Sequence, residues 1–206
     1  MVARGERPPL QRETIVAAAR ELIREAGLEA LSLRRLAERL GVTAPALYAH
    51  VRDKTDLLRA VAEGEFLALV AAYARVEDRE PVARMRAHAR AYIAVARNEP
   101  EMFRVMVLFP PELGPADVPD DAELPAATAA FALAAGAVEE AAAAGAITTD
   151  DVLLTTLTFF AAAHGVATVL GLGFGLPPEL EDRMIDEMLD RLIAGYRTPA
   201  GTLRPL

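Results

Sequence analysis

Leu31-Ser-Leu-Arg-Arg-Leu-Ala-Glu-Arg-Leu-Gly-Val-Thr-Ala-Pro-Ala-Leu-Tyr-Ala-His-Val-Arg-Asp-Lys54 is the stretch that decides the reading of this chain. Ser32 offers a hydroxyl N-cap ahead of Leu33, Leu36, Ala37 and Leu40, which fall at helical spacing, and Gly41 stops that helix. Thr43 stands in the capping position of the next helix, Ala44 to Val51, with Pro45 in its first turn, where a missing N–H costs little. Leu47 and Val51 point inward. Asp53 is placed to cap a fourth, longer helix through Leu57, Leu58, Val61, Phe66, Leu69 and Val70. Upstream, Ile15, Ala18, Ala19, Leu22, Ile23 and Ala26 repeat at helical spacing from Gln11, and Gly27 closes that helix. Three short helices with a tight turn at Gly41 describe a helix-turn-helix.

Beyond this unit the periodicity stays helical. Pro81 opens a helix through Val82, Met85, Tyr92 and Ile93, and the Asn98-Glu99-Pro100 break precedes a short one through Met102, Phe103 and Met106. Prolines, Gly114 and the acidic patch Asp117, Asp120, Asp121 and Glu123 mark a surface loop between Pro110 and Pro125. An alanine-rich helix runs to Gly145, and an uncharged one runs from about Thr149 to the glycines 171, 173 and 175. The last helix carries Leu180, Met184, Ile185, Met188, Leu189, Leu192, Ile193 and Tyr196 against a charged face. The expected fold is therefore all-α, about nine helices, with a helix-turn-helix domain at 1–54 and a larger helical domain at 55–206. The fourth helix, about 54 to 76, links them.

Composition narrows the chemistry. With 53% hydrophobic and 25% charged residues the chain is globular, and with no cysteine it has no disulfide, thiolate nucleophile or cysteine-bound zinc. Residues 1–54 hold 10 Lys+Arg against 7 Asp+Glu and the remainder 12 against 23, so a front of +3 joins a body of −11. That asymmetry suits nucleic-acid contact at one end. Met1 to Pro9 lacks the apolar run of a signal peptide, and a cytoplasmic protein is expected. Between Asp151 and Glu179 the uncharged stretch is long enough to cross a bilayer, but its threonines, His164 and missing basic flanks favour a buried helix at a subunit interface. His50, His88 and His164 show no metal-binding spacing, and no nucleophile elbow or phosphate loop is present. Neither an enzyme nor a metal or cofactor site is expected.

The quoted stretch resembles the DNA-binding signature of the TetR family, through Leu47-Tyr48-Ala49-His50, the following Lys54 and Gly41-Val42 at the turn. Phe160-Ala-Ala-Ala-His164-Gly165 and Asn98-Glu-Pro-Glu-Met-Phe-Arg-Val-Met106 are similar to one subgroup whose core carries a Trp…His-Gly motif, with Phe160 in the Trp position.

The resemblance implies a dimeric repressor that binds a palindromic double-stranded operator and is released by a small effector, with an activator of the same fold as the alternative. The third helix would enter the major groove. Tyr48, His50 and Lys54 would contact phosphates; Thr43, Ala44, Pro45 and Ala46 would touch thymine methyls; Arg34 would reach a guanine edge. Taken singly, Tyr48 reads as a half-buried aromatic and Arg34 as a solvated face. Candidate ligand contacts in the helical body are Phe66, Met85, Tyr92, Met102, Phe103, Met106, Phe159, Phe160 and His164, a set suited to an aromatic, lipid-like or drug-like ligand. Ordinary core is the competing reading of each, and His164 is the natural polar handle. The last two helices would form the homodimer interface. A helical interaction module that has lost DNA binding is the remaining rival.

Overall fold

Gly27 and Gly41 set the path of the first unit. Both have positive φ, 84° and 64°, a region that disfavours a Cβ. Helix α1 (Arg12–Ala26) ends at Gly27, and a 3-10 turn over Leu28–Ala30 leads to α2 (Leu33–Leu40). Ser32 Oγ accepts from the Arg35 N–H at 3.2 Å. At the far end the Gly41 and Val42 N–H groups bond back to carbonyls of α2, which lets the chain reverse within one residue. The computed structural model describes residues 9–77, 80–110 and 124–197. The proline-rich acidic stretch lies largely outside them.

Helix α3 (Ala44–Tyr48) is shorter than the sequence spacing suggests. Its last turn collapses because the Leu47 carbonyl accepts from both His50 and Val51, at 2.9 and 3.0 Å. Thr43 occupies the N-cap position without a side-chain bond; its carbonyl instead accepts from Ala46. Helix α4 (Lys54–Ala74) starts at Asp53, whose carboxylate accepts from the Asp56 N–H at 2.8 Å. Ile15, Ile23, Leu36, Leu47, Val51 and Leu57 form a sealed core. Arg39 clamps Glu25 through bonds of 2.6 and 2.7 Å, fastening α2 to α1.

The chain divides into compact units at Met1–Ala62 and Glu63–Leu206, a boundary inside α4. In the second unit α5 (Pro81–Asn98), capped by Glu80, packs against α6 (Pro100–Met106), α7 (Pro125–Ala143), α8 (Val152–Gly171) and α9 (Pro178–Tyr196). Helix α8 begins at Val152, close to the expected start at about Thr149, and Asp151 caps it by accepting from the Leu154 N–H at 2.9 Å. Helices α7 and α8 are long and apolar enough to cross a membrane. Both instead pack on α5 and on each other. Along α5, Arg86 reaches Asp190, Arg90 reaches Asp186, and Arg97 reaches Glu181 and Asp182, an antiparallel ladder against α9. Among the described residues there are nine α-helices, one 3-10 turn and no strand.

Glycine substitutions should separate the two backbone demands. Gly41→Ala forces a Cβ into the left-handed region and should destabilise the protein by about 1–2 kcal/mol. Gly64→Ala, inside α4 with open space around it, should stabilise by roughly 0.5–1 kcal/mol. Urea titrations of the two variants must therefore shift in opposite directions.

Candidate functional site

The first site is the surface of the N-terminal unit around α3. Leu47 is fully buried, so the helix is pinned along one side, while Tyr48 is 58% exposed on the other. Thr43 and Pro45 are exposed; Ala44, Ala46, His50 and Lys54 are partly so. Arg34 projects from α2 and, among the described residues, pairs with Glu38, one turn on, at 3.1 Å. A pair that exposed contributes little and releases readily.

Arg12 controls this surface from below. Its guanidinium donates to the His50 carbonyl at 2.6 Å and forms a two-pronged pair with Asp56 at 2.9 and 3.0 Å. Asp56 also accepts from the Arg52 N–H at 2.9 Å. The Arg12 hydrogen bonds hold the Asp56 carboxyl down at about 2; the Arg52 N–H and the two guanidinium charges push the same way, against burial. One ion pair thus fixes the carbonyl of His50 and the entry to α4. Sequence reading passed over Arg12, which lies 38 and 44 residues from its partners, and no local pattern announces it.

The second site is a chamber of about 280 Å³ inside the C-terminal unit. Helix α7 leaves the space, because Ala127, Ala130 and Ala134 face it with too little volume to fill it. Of the nine sequence candidates, Phe66, Met85, Tyr92, Met106, Phe159, Phe160 and His164 line it. Met102 and Phe103 do not. Met102 is wholly buried in the core; Phe103 packs edge-on against Tyr92 at 5.6 Å, behind the wall. Helix α6 is a seven-residue helix whose apolar residues face more than one side, and of them Met106 reaches the chamber, followed by Val107, Phe109 and Pro110 beyond its end.

His164 Nδ1 pairs with the Tyr92 hydroxyl at 2.9 Å, and the ring lies 5.7 Å from those of Phe103 and Phe160. Burial raises the Tyr92 phenol pKa, so the hydroxyl stays protonated. Sequence reading missed Tyr73, His88, Phe131 and Thr156 on the wall. Two carried a signal. Tyr73 continues the Phe66, Leu69 repeat of α4, and His88 falls between Met85 and Tyr92 at steps of three and four. Histidine and tyrosine simply do not score as apolar.

Residues 15–61 match the family described as bacterial regulatory proteins, tetR family, and residues 85–192 match the tetracyclin repressor-like C-terminal domain. The tetracycline repressor protein class C of Escherichia coli is 56% identical over 54 residues, 26% of this chain and 25% of that protein. The chain thus matches only about a quarter of that relative's length. A protein of unknown function from Rhodococcus sp. RHA1 superposes with a TM-score of 0.76 at 32% identity, covering 95% of this chain and all of that one. AibR, solved with isovaleryl coenzyme A and operator DNA, superposes with a TM-score of 0.60 at 20% identity, over 88% of this chain and 97% of that one. At that identity the likeness concerns the fold.

The Arg12–Asp56 pair predicts a pH signature. The folded Asp56 carboxyl sits below its ordinary 3.8, so its contribution is complete above that value and fades as pH falls towards about 2. With Arg12 partly solvent-exposed, the contribution is on the order of 1–2 kcal/mol. Urea titrations of wild type and Asp56→Asn should differ by a constant amount at neutral pH and converge below pH 3.8. A difference independent of pH would mean the pair does not hold this unit together.

Proposed function

The chain belongs to the tetR family of bacterial regulatory proteins, and on that footing we propose that it is a transcriptional repressor which holds a palindromic operator as a homodimer and lets go when a small apolar or aromatic ligand fills its chamber. The observation that carries the reading is the exposure of Thr43, Pro45 and Tyr48 on a helix whose opposite side is locked into the core through Leu47. A helix presented that way fits the major groove of B-DNA. Tyr48, His50 and Lys54 contact phosphates and set register. Thr43, Ala44, Pro45 and Ala46 meet thymine methyls, and Arg34 leaves Glu38 for a guanine edge.

Dimerisation through α8 and α9 accounts for Leu153, Leu154 and Leu180, which are 44%, 61% and 44% exposed on those helices. Two-fold symmetry then demands a palindrome with its halves about one DNA turn, roughly 34–36 Å, apart or a related spacing. The protein binds rather than catalyses and works in the cytoplasm, where its DNA lies. An effector acts by preferring one conformation of the protein, so the chamber and the DNA grip are linked by differential affinity alone.

Sequencing of genomic fragments retained by the purified protein tests this. A recovered palindrome is expected; no enrichment at low salt would defeat the regulator reading. Lys54→Ala should weaken binding to all sequences and reduce the log–log salt slope by about 0.9. Arg34→Ala should instead relax selectivity at one base pair by roughly tenfold or more. An unchanged sequence profile for Arg34→Ala would remove that residue from base reading.

A further inference from the structure

Five side chains on the chamber wall are polar: Tyr73, His88, Tyr92, Thr156 and His164. The Thr156 hydroxyl donates to the Val152 carbonyl at 2.7 Å, and the Tyr92 hydroxyl pairs with His164 Nδ1. Tyr73 stands apart from them. It is 7% exposed, and its hydroxyl has no hydrogen-bond partner among the described residues. That oxygen is nevertheless not sealed into the packing, as His88 Nδ1 is. A stack on His88, with centroids 4.1 Å apart and planes 16° from parallel, fixes where the phenol ring stands. Burial, with the nearby Tyr92 phenol behind it, raises the Tyr73 pKa, so the hydroxyl keeps its proton at neutral pH.

An imidazole nitrogen donates or accepts according to its tautomer, so neither histidine commits the chamber to one chemistry. A protonated phenol always has a hydrogen to give, and its ring draws on the oxygen lone pairs, which makes it a better donor than acceptor. In an apolar chamber a ligand that leaves this donor unmet forfeits the hydrogen bond and removes the water that could replace it. Among the described residues no Asp, Glu, Lys or Arg lines the chamber. A charged ligand would lose its hydration there without gaining a counter-ion. The rest of the wall, with Phe66, Phe131, Phe159 and Phe160 beside the alanines of α7, suits a flat ring.

We infer that the chamber takes an uncharged, flat molecule bearing a hydrogen-bond acceptor, of the aryl ketone or ester class, and that the Tyr73 hydroxyl donates to its carbonyl oxygen. A carbonyl fits because it accepts and has no hydrogen of its own that would need a partner in the wall. This rests on the chamber being the effector site, as proposed above, and adds the chemistry it selects.

The test compares two molecules of one shape, 2-acetylnaphthalene and 2-isopropenylnaphthalene, in which a carbonyl oxygen is exchanged for a methylene group, with 2-naphthoate as the anion. Each is brought to equilibrium dialysis against the full-length protein at neutral pH. The ketone should bind, and more tightly than the naphthoate. Tyr73→Phe keeps the ring and its stack on His88 and deletes only the hydroxyl. It should weaken the ketone about 5-fold or more, the worth of one hydrogen bond, and leave the alkene within about twofold. In infrared difference spectra the carbonyl stretch of the isotope-labelled ketone should lie below its value in hexane when bound to wild type, and return towards that value in Tyr73→Phe. No binding of the ketone, naphthoate binding at least as tightly, a ketone weakened no more than the alkene in Tyr73→Phe, or a wild-type stretch at the hexane value would each overturn the inference. If Tyr73→Phe does not fold, the wild-type affinities and stretch decide. Retention of genomic DNA is read separately on the same preparation. Should DNA be held while the ketone fails these tests, only the Tyr73 assignment falls; should the ketone pass without DNA retention, the regulator reading falls and the chamber chemistry remains.

Discussion

Helix α5 has to satisfy neighbours on almost every side, and the C-terminal unit is organised by how it does so. Its apolar side sends Met85, His88 and Tyr92 to the chamber while Ile93 and Ala96 enter the core. Its charged side sends Arg86, Arg90 and Arg97 to the acids of α9. Each ion pair is at least partly exposed and individually weak, but their register along two antiparallel helices is selective, since a shift of one turn on α9 would misalign several pairs together. Burial supplies the stability and the ladder fixes the alignment. The chamber exists because α7, on another side of α5, is built of alanines that cannot close the distance.

The N-terminal unit meets a different constraint. A helix that is to be read by another molecule must keep its outer face polar and its position rigid, yet α3 has only five residues and one fully buried side chain, Leu47. So short a helix is not stable by itself. The surrounding polar contacts compensate: the Gly41 reversal and Ser32 cap fix what precedes it, and the Arg12–Asp56 pair holds the His50 carbonyl after it. Rigidity here comes from ends that are tied rather than from a helix that is long.

The fold was legible because its punctuation is local. Gly27, Ser32, Gly41, Asp53 and Pro81 each act within four residues, and helical periodicity does the rest. Legibility failed where an outcome depended on distant partners. The premature end of α3 follows from a doubly used carbonyl, and Arg12 acts across 38 residues. The chamber shows the same division. Apolar spacing found seven of its wall residues, but it could not separate Met102 in the core from Met106 on the wall, four residues on along one short helix. Nor could it register that the Tyr92 hydroxyl and His164 Nδ1, 72 residues apart, pair with each other.

The position of His88 bears on how a ligand would be felt elsewhere. Its stacking partner, Tyr73, lies on α4, the same continuous helix that begins at Lys54. A ligand in the chamber would meet a ring already held on its face by the Tyr73 ring. Any conformation of α4 that breaks the stack would reshape that wall, so a ligand fitted to the stacked wall would prefer the conformation in which the stack is intact. That preference is the differential affinity a switch requires. Moving a two-state equilibrium from 1:99 to 99:1 takes about 5.5 kcal/mol, more than one hydrogen bond provides. The aromatic wall must therefore supply most of the affinity difference.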